Sequence, residues 1–280
     1  MITLYENPER TKNPDEFVLV LEPAISTLYD DINSQFFVGR NIQAVMNKFL
    51  DLVFCVKQLH DLKIVHCNIK PKNILKIISN GGNKANENIT KYKLGDFCMH
   101  KKVGTFLVAK EGNIELCTNM SDNDKFDLNS KSTEYSTAYM PPEFAKHFFA
   151  NSQPKKGIEA KPSIDIWSLG IILYELCTGE NLFQKDINHD NLLNHVDKAR
   201  LCLWHTIPDE NCLNKVFLNT DTNAHADNVN DNTTIRIMWA KHLIRWCLKG
   251  KENERPLIDD ILKHPFLSEK KHSNEDDGSE

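Results

Sequence analysis

The chain has 280 residues, enough for one sizeable domain with a buried core. Its 40% hydrophobic and 26% charged residues are ordinary for a globular protein. A formal net charge of -5, with lysines and arginines scattered, argues against a nucleic-acid surface, and the longest apolar run, 166–177, is too short and polar for a membrane span.

Residues 2–5 and 17–21 are short β-rich runs around a turn-forming stretch and read as a pair of strands. Between 42 and 60 the apolar residues fall at 42, 45, 46, 49, 52, 53, 56 and 59, the spacing of a helix with a wide buried face. Apolar runs at 74–78 and 92–94 bracket a polar, Gly/Asn-rich insert near 79–90 that reads as a surface loop. A longer stretch, 104–135, reads as irregular and strand-poor. Residues 165–178 form a strongly apolar helix that Gly179 terminates, and a polar insert at 219–234 precedes an amphipathic helix over 235–248. The charged end, 269–280, reads as a disordered tail. The eight cysteines form no C-x-x-C pair and read as small buried hydrophobes in a reducing compartment, so a cytoplasmic protein is expected. The start of the sequence also lacks the pattern of a signal peptide.

Specific chemistry first enters at Ile64-Val65-His66-Cys67-Asn68-Ile69-Lys70-Pro71-Lys72-Asn73-Ile74-Leu75. This run resembles the catalytic loop of the protein kinases, His-Arg-Asp-Leu-Lys-Pro-x-Asn. Further on, Leu94-Gly95-Asp96-Phe97-Cys98 resembles the magnesium-binding Asp-Phe-Gly, and Tyr139-Met140-Pro141-Pro142-Glu143 resembles the Ala-Pro-Glu that closes the activation segment. The run 163–170 looks like the buried central helix of the large lobe, and Arg255-Pro256 with His264-Pro265-Phe266-Leu267 looks like its closing helices. Five landmarks stand in the family's order over roughly 2–268.

The resemblance implies an α+β fold: two residual small-lobe strands and the hinge in 1–24, and a mainly helical large lobe in 25–268. It implies that Asp96 and Asn73 hold Mg²⁺ through hard oxygen donors, that Lys70 sits beside the transferred phosphoryl group, and that Glu22 and Ala24 form the ATP hinge. Leu21 then takes the gatekeeper position. A Lys at position 70 looks like the Ser/Thr-specific kinases. His66, Asp165, Glu143 and Arg255 are implied as structural, with Asp165 accepting bonds from the loop backbone and Glu143 pairing with Arg255. Ser132, Thr133, Ser136 and Thr137 lie where kinases are often phosphorylated, although Cys67 replaces the Arg that would bind such a phosphate.

Three departures from the pattern bear on activity. Asn68 replaces the catalytic Asp, and a neutral amide cannot serve as a base. Cys98 replaces a Gly, where a Cβ is expected to penalise a left-handed backbone. No Gly-rich loop, strand Lys or paired Glu precedes the first strands, so ATP binding is expected to be weak or absent. These departures point to a catalytically impaired kinase relative that binds or scaffolds a protein partner not yet identified. An active, divergent Ser/Thr kinase from an incomplete reading frame is the alternative.

Overall fold

The computed structural model describes residues 4–5, 20–34, 37–80, 88–110, 113–115, 135–149, 157–218 and 231–268. The expected tail, 269–280, lies outside them, as do Ser132, Thr133 and most of 1–19.

Strands β1 (Leu4–Tyr5) and β2 (Val20–Leu21) pair antiparallel, with Leu4 opposite Leu21. Strand β3 (Ser26–Thr27) runs directly into helix α1 (Leu28–Asn33), which Thr27 and Asp30 start with a reciprocal capping box. Helix α2 (Ile42–Asp61) begins at Asn41, whose side chain accepts from the Ala44 amide, and buries Val45, Phe49, Leu52, Val53 and Val56 completely. Strand β4 (Ile64–Val65) leads into the loop 66–73, and strands β5 (Ile74–Asn80) and β6 (Asn88–Leu94) follow it. Next come β7 (Lys101–Lys102), β8 (Phe106–Lys110) and β9 (Asn113–Glu115). The remainder is mainly helical: α3 (Pro142–Phe149), the short strand β10 (Ile158–Glu159), α4 (Pro162–Thr178), α5 (His195–Cys202), α6 (Asp231–Cys247) and α7 (Ile258–Leu262). The whole is mixed α/β, helix-rich, with small antiparallel sheets ordered β3-β5-β6, β4-β7 and β10-β8-β9.

Helix α4 is the centre of the core. It is apolar all round and buried from Ile164 to Thr178, as a helix enclosed on every side must be. Helices α2 and α6 pack on it. At Gly170 a Cβ would sit 2.8 Å from Cys247 Cβ, so only glycine lets α4 approach α6 this closely. Gly179 closes the helix in the left-handed conformation, φ 75°, as the sequence pattern anticipates.

Four sequence expectations need correction. The stretch 104–135 is not strand-poor throughout: β8 pairs with β9 on one edge and with β10, more than forty residues on, on the other. The insert near 79–90 is shorter than its composition suggests, because the β5–β6 ladder continues to Asn80 opposite Asn88, and α6 begins at Asp231, inside the polar insert. The cysteines are not uniformly buried. Cys67, Cys177, Cys212 and Cys247 are, Cys55 and Cys202 are half-buried, and Cys98 is exposed.

Behind α7, His264 stacks on His242 of α6 at 5.1 Å between ring centroids, with His242 Nδ1 2.9 Å from His264 Nε2. The Phe266 amide donates to His264 Nδ1 at 3.2 Å, so His264 in its neutral form carries its proton on Nε2 and donates it to His242. Burial, reinforced by His242, lowers the pKa of His264 to about 4. The unfolded chain takes up this proton near pH 6.5, so the contribution to stability is complete above that pH and is lost as pH falls towards 4. Scanning calorimetry is expected to show Tm falling between pH 7 and pH 4.5, with a shallower fall in His264→Gln. An unchanged slope in the variant would exclude this group as a source of acid sensitivity.

Candidate active site

Two loops make the site. Residues 66–73 connect β4 to β5, and 95–100 connect β6 to β7. Strand pairing draws their ends together, since Val65 lies opposite Lys101 and Ile74 opposite Leu94. The loops are also laced directly. The Gly95 amide donates to Asn73 O at 2.8 Å, His66 Nε2 lies 3.0 Å from Gly95 O, and the His66 and Phe97 rings meet at 5.0 Å.

Asp165, in the first turn of α4, fixes the first loop. Its Oδ2 accepts from the His66 amide at 2.8 Å and lies 3.0 Å from His60 Nε2, while Oδ1 accepts from the Cys67 amide at 2.9 Å. Two successive amides can aim at one carboxylate because Cys67 adopts φ 64°, a left-handed conformation costing about 1–3 kcal/mol in a residue with a Cβ. His66 is fully buried, and burial lowers its pKa. Its geometry suits the neutral ring: Nε2–H donates to Gly95 O, and Nδ1 accepts from the Asn68 amide at 3.3 Å.

Asn68 is 8% exposed. Its carbonyl accepts from Asn73 Nδ2 at 2.9 Å, which identifies the nitrogen end of the Asn73 amide and leaves Oδ1 as its acceptor end. The Asp96 carboxylate is exposed. A carboxylate and an amide oxygen on loops joined at Gly95 form a donor set that fits a hard divalent cation. Lys70 Nζ donates to Ser136 Oγ at 2.6 Å and lies 3.4 Å from Asp190 Oδ2. The structure thus brings Ser136 of the expected phosphorylation cluster to Lys70, while Thr137 bonds to Asn191 instead.

The expected strain at Cys98 is absent. Its φ is not positive, and the left-handed residue in this loop is Asp96, φ 54°. A hydrogen bond to the Asp96 carboxylate, with some burial, raises the Cys98 thiol pKa. Of the two residues expected at the hinge, Glu22 has its carboxylate 2.6 Å from Lys93 Nζ, and Ala24 is exposed. The side chain of Leu21 lies outside the described residues.

Further away, Arg255 and Glu143 form a bidentate pair at 2.8 and 2.6 Å, with the Arg side chain fully buried. Arg255 also donates to Ser163 O and Lys249 O and lies 5.0 Å from the centroid of the Trp167 ring. A second buried pair, Lys185 with Glu175 at 2.8 Å, takes in the Tyr139 hydroxyl. The sequence did not single out Glu175, Lys185 or Asp190. Their signal is weak, because a charge inside an apolar helix or a polar loop gains meaning only from a partner elsewhere in the chain.

The protein kinase domain family matches residues 1–267, and the chain belongs to that family. It is 29% identical over 174 residues to the serine/threonine-protein kinase AFC2 of Arabidopsis thaliana, covering 62% of this chain and 36% of that protein. It is 26% identical over 218 residues to the dual specificity protein kinase Ttk of Danio rerio, covering 78% and 16%. The DNA damage response protein kinase DUN1 of Saccharomyces cerevisiae is 23% identical over 222 residues, covering 79% and 34%. The chain thus spans little more than a third, at most, of each of these relatives.

Replacing Asp165 by Asn leaves one acceptor oxygen for three donors and turns an NH₂ towards the loop amides. A loss of about 3 kcal/mol is expected in urea unfolding, since hydrogen bonds to charged groups contribute about 1.5–3 kcal/mol each. Unchanged stability in Asp165→Asn would remove this carboxylate from its organising role.

Proposed function

We propose that this chain is a Ser/Thr-type protein kinase domain whose phosphotransfer is impaired at Asn68 and which acts in the cell interior by binding a protein partner. The observation that supports the reading is that residue 68, an asparagine, lies buried in a loop whose backbone is held in order by Asp165 and tied to Asn73 through the Asn68 carbonyl. The position offers an acceptor hydroxyl no base. A positioned base contributes about 10²–10⁴ in rate.

The remaining groups fit the family chemistry. Asp96 and Asn73 Oδ1 would hold Mg²⁺, which neutralises phosphate charge when bound. Lys70 would place a compact positive charge at the transferred phosphoryl group. ATP would lie against the hinge main chain at Glu22 and Ala24, and weak binding is the expectation. These retained groups favour a second reading, an active divergent kinase, and the same experiment decides between them.

That experiment is γ-phosphate transfer to a Ser/Thr peptide pool, by this chain and by one extended upstream, each with and without Asn68→Asp. Transfer near background in both unaltered forms, rising about 10²–10⁴-fold with Asn68→Asp in at least one, is the expected result. Efficient transfer by either unaltered form, not improved by the Asp, would establish the active reading in its place.

A further inference from the structure

We propose that the segment 186–192 is a built-in latch that covers the acceptor side of the cleft, and that Asp190 is its bolt. The inference rests on reading Asn68 and Lys70 as that acceptor side. The segment leaves the core just after Lys185, which is anchored in the Glu175–Tyr139 cluster. Asp186 shapes it locally: its carboxylate accepts from the amides of Asn188 at 3.0 Å, His189 at 2.6 Å and Asn191 at 2.8 Å.

The shaped loop then lies along the activation segment and the catalytic loop. Ser136 Oγ donates to His189 O at 3.0 Å, the Ala138 amide to Asp190 O at 3.0 Å, the Thr137 amide to Asn191 Oδ1 at 3.2 Å, and the Leu192 amide to Thr137 Oγ1 at 2.8 Å. Lys72 Nζ donates to the carbonyls of Ile187 and Asn188. Asp190 is 2% exposed and left-handed at φ 59°. Its Oδ2 lies 3.4 Å from both Lys70 Nζ and Lys72 Nζ, too poorly aligned for a hydrogen bond, so the contact is one of charge.

Two features point to a latch rather than an ordinary loop. First, the segment takes up groups that phosphotransfer would use: the Lys70 charge is matched from within the chain, where Asn68 has none to offer. Second, exposure is lopsided. Asp96, on the metal side, is open to solvent, whereas Asn68 is 8% exposed and the Lys70 side chain 13%. An acceptor peptide would have to displace 186–192 to reach Lys70. The apolar tip residue Ile187, 76% exposed, is placed where a partner could grip the loop.

The test labels lysines in the full chain with an acetylating reagent and follows amide exchange, comparing wild type with Asp190→Asn and Asn191→Ala. Labelling of Lys70 is expected to accelerate about tenfold in Asp190→Asn, together with exchange at the Ala138 and Leu192 amides, while α4 keeps its protection. Unchanged Lys70 labelling with α4 protected would overturn the proposal. Should Asp190→Asn also loosen α4, Asn191→Ala, which removes only the Thr137 contacts, decides by the same two outcomes. Neither readout involves nucleotide, so failure of the phosphotransfer reading leaves a separate trace. In an Asn68→Asp background that transfers phosphate, adding Asp190→Asn is expected to lower the peptide KM about tenfold, because the competent fraction rises. An unchanged peptide KM there would show that opening the loop does not govern acceptor access.

Discussion

The Asp165 carboxylate, buried in the first turn of α4, is the constraint on which the rest of the cleft depends. A buried charge must be compensated, and here the compensation comes from the amides of His66 and Cys67, the His60 ring and the start of a helix. The same contacts offset the cost of the left-handed Cys67. Once that turn is fixed, the direction of residues 68–73 follows, and with it the positions of Asn68, Lys70 and Asn73. The tie runs from the buried central helix to the loop that carries Asn68, Lys70 and Asn73.

This frame does not depend on whether residue 68 is an amide or an acid. Among the described residues, the hydrogen bonds of Asn68 run through its main chain, to His66 Nδ1 and from Asn73 Nδ2. An Asp would make the same two bonds. What would change is charge, since an Asp adds a carboxylate to the loop, whereas the charge partner of Lys70 in this structure is Asp190. Fold and chemistry are therefore separable at this residue, which is why ordered geometry at the loop says nothing by itself about turnover.

The parts legible in the sequence are those whose signal is local. The apolar positions of α2 repeat at helical spacing and those of α4 run on almost without a break, Gly179 marks its own left-handed cap, and the loop 64–75 carries several fixed residues in one short run. The β8–β10 ladder was not legible, because Phe106 and Glu159 become partners only through a fold that brings them together. The composition of 79–90 misled for a related reason: Asn80 and Asn88 disfavour strands as residues, yet the ladder already formed behind them carries the pairing outward. Helix α1 did have a local sign, Thr27 three residues before Asp30, but it is too short to show a period.

The same contrast governs the charges. Arg255 and Glu143 were readable as a pair only through family resemblance, since 112 residues separate them, whereas the buried Glu175 was not readable at all. Burial raises the Glu175 pKa, and Lys185 and Tyr139 oppose that shift by favouring the ionised form. Lys185 is also the residue from which 186–192 departs. The core thus holds one end of that segment through a buried ion pair, and the cleft holds the other through Asp190. Asp190 itself carries the left-handed backbone, φ 59°, at the point where the segment meets Lys70 and Lys72, so the charge contact and the backbone strain fall on one residue.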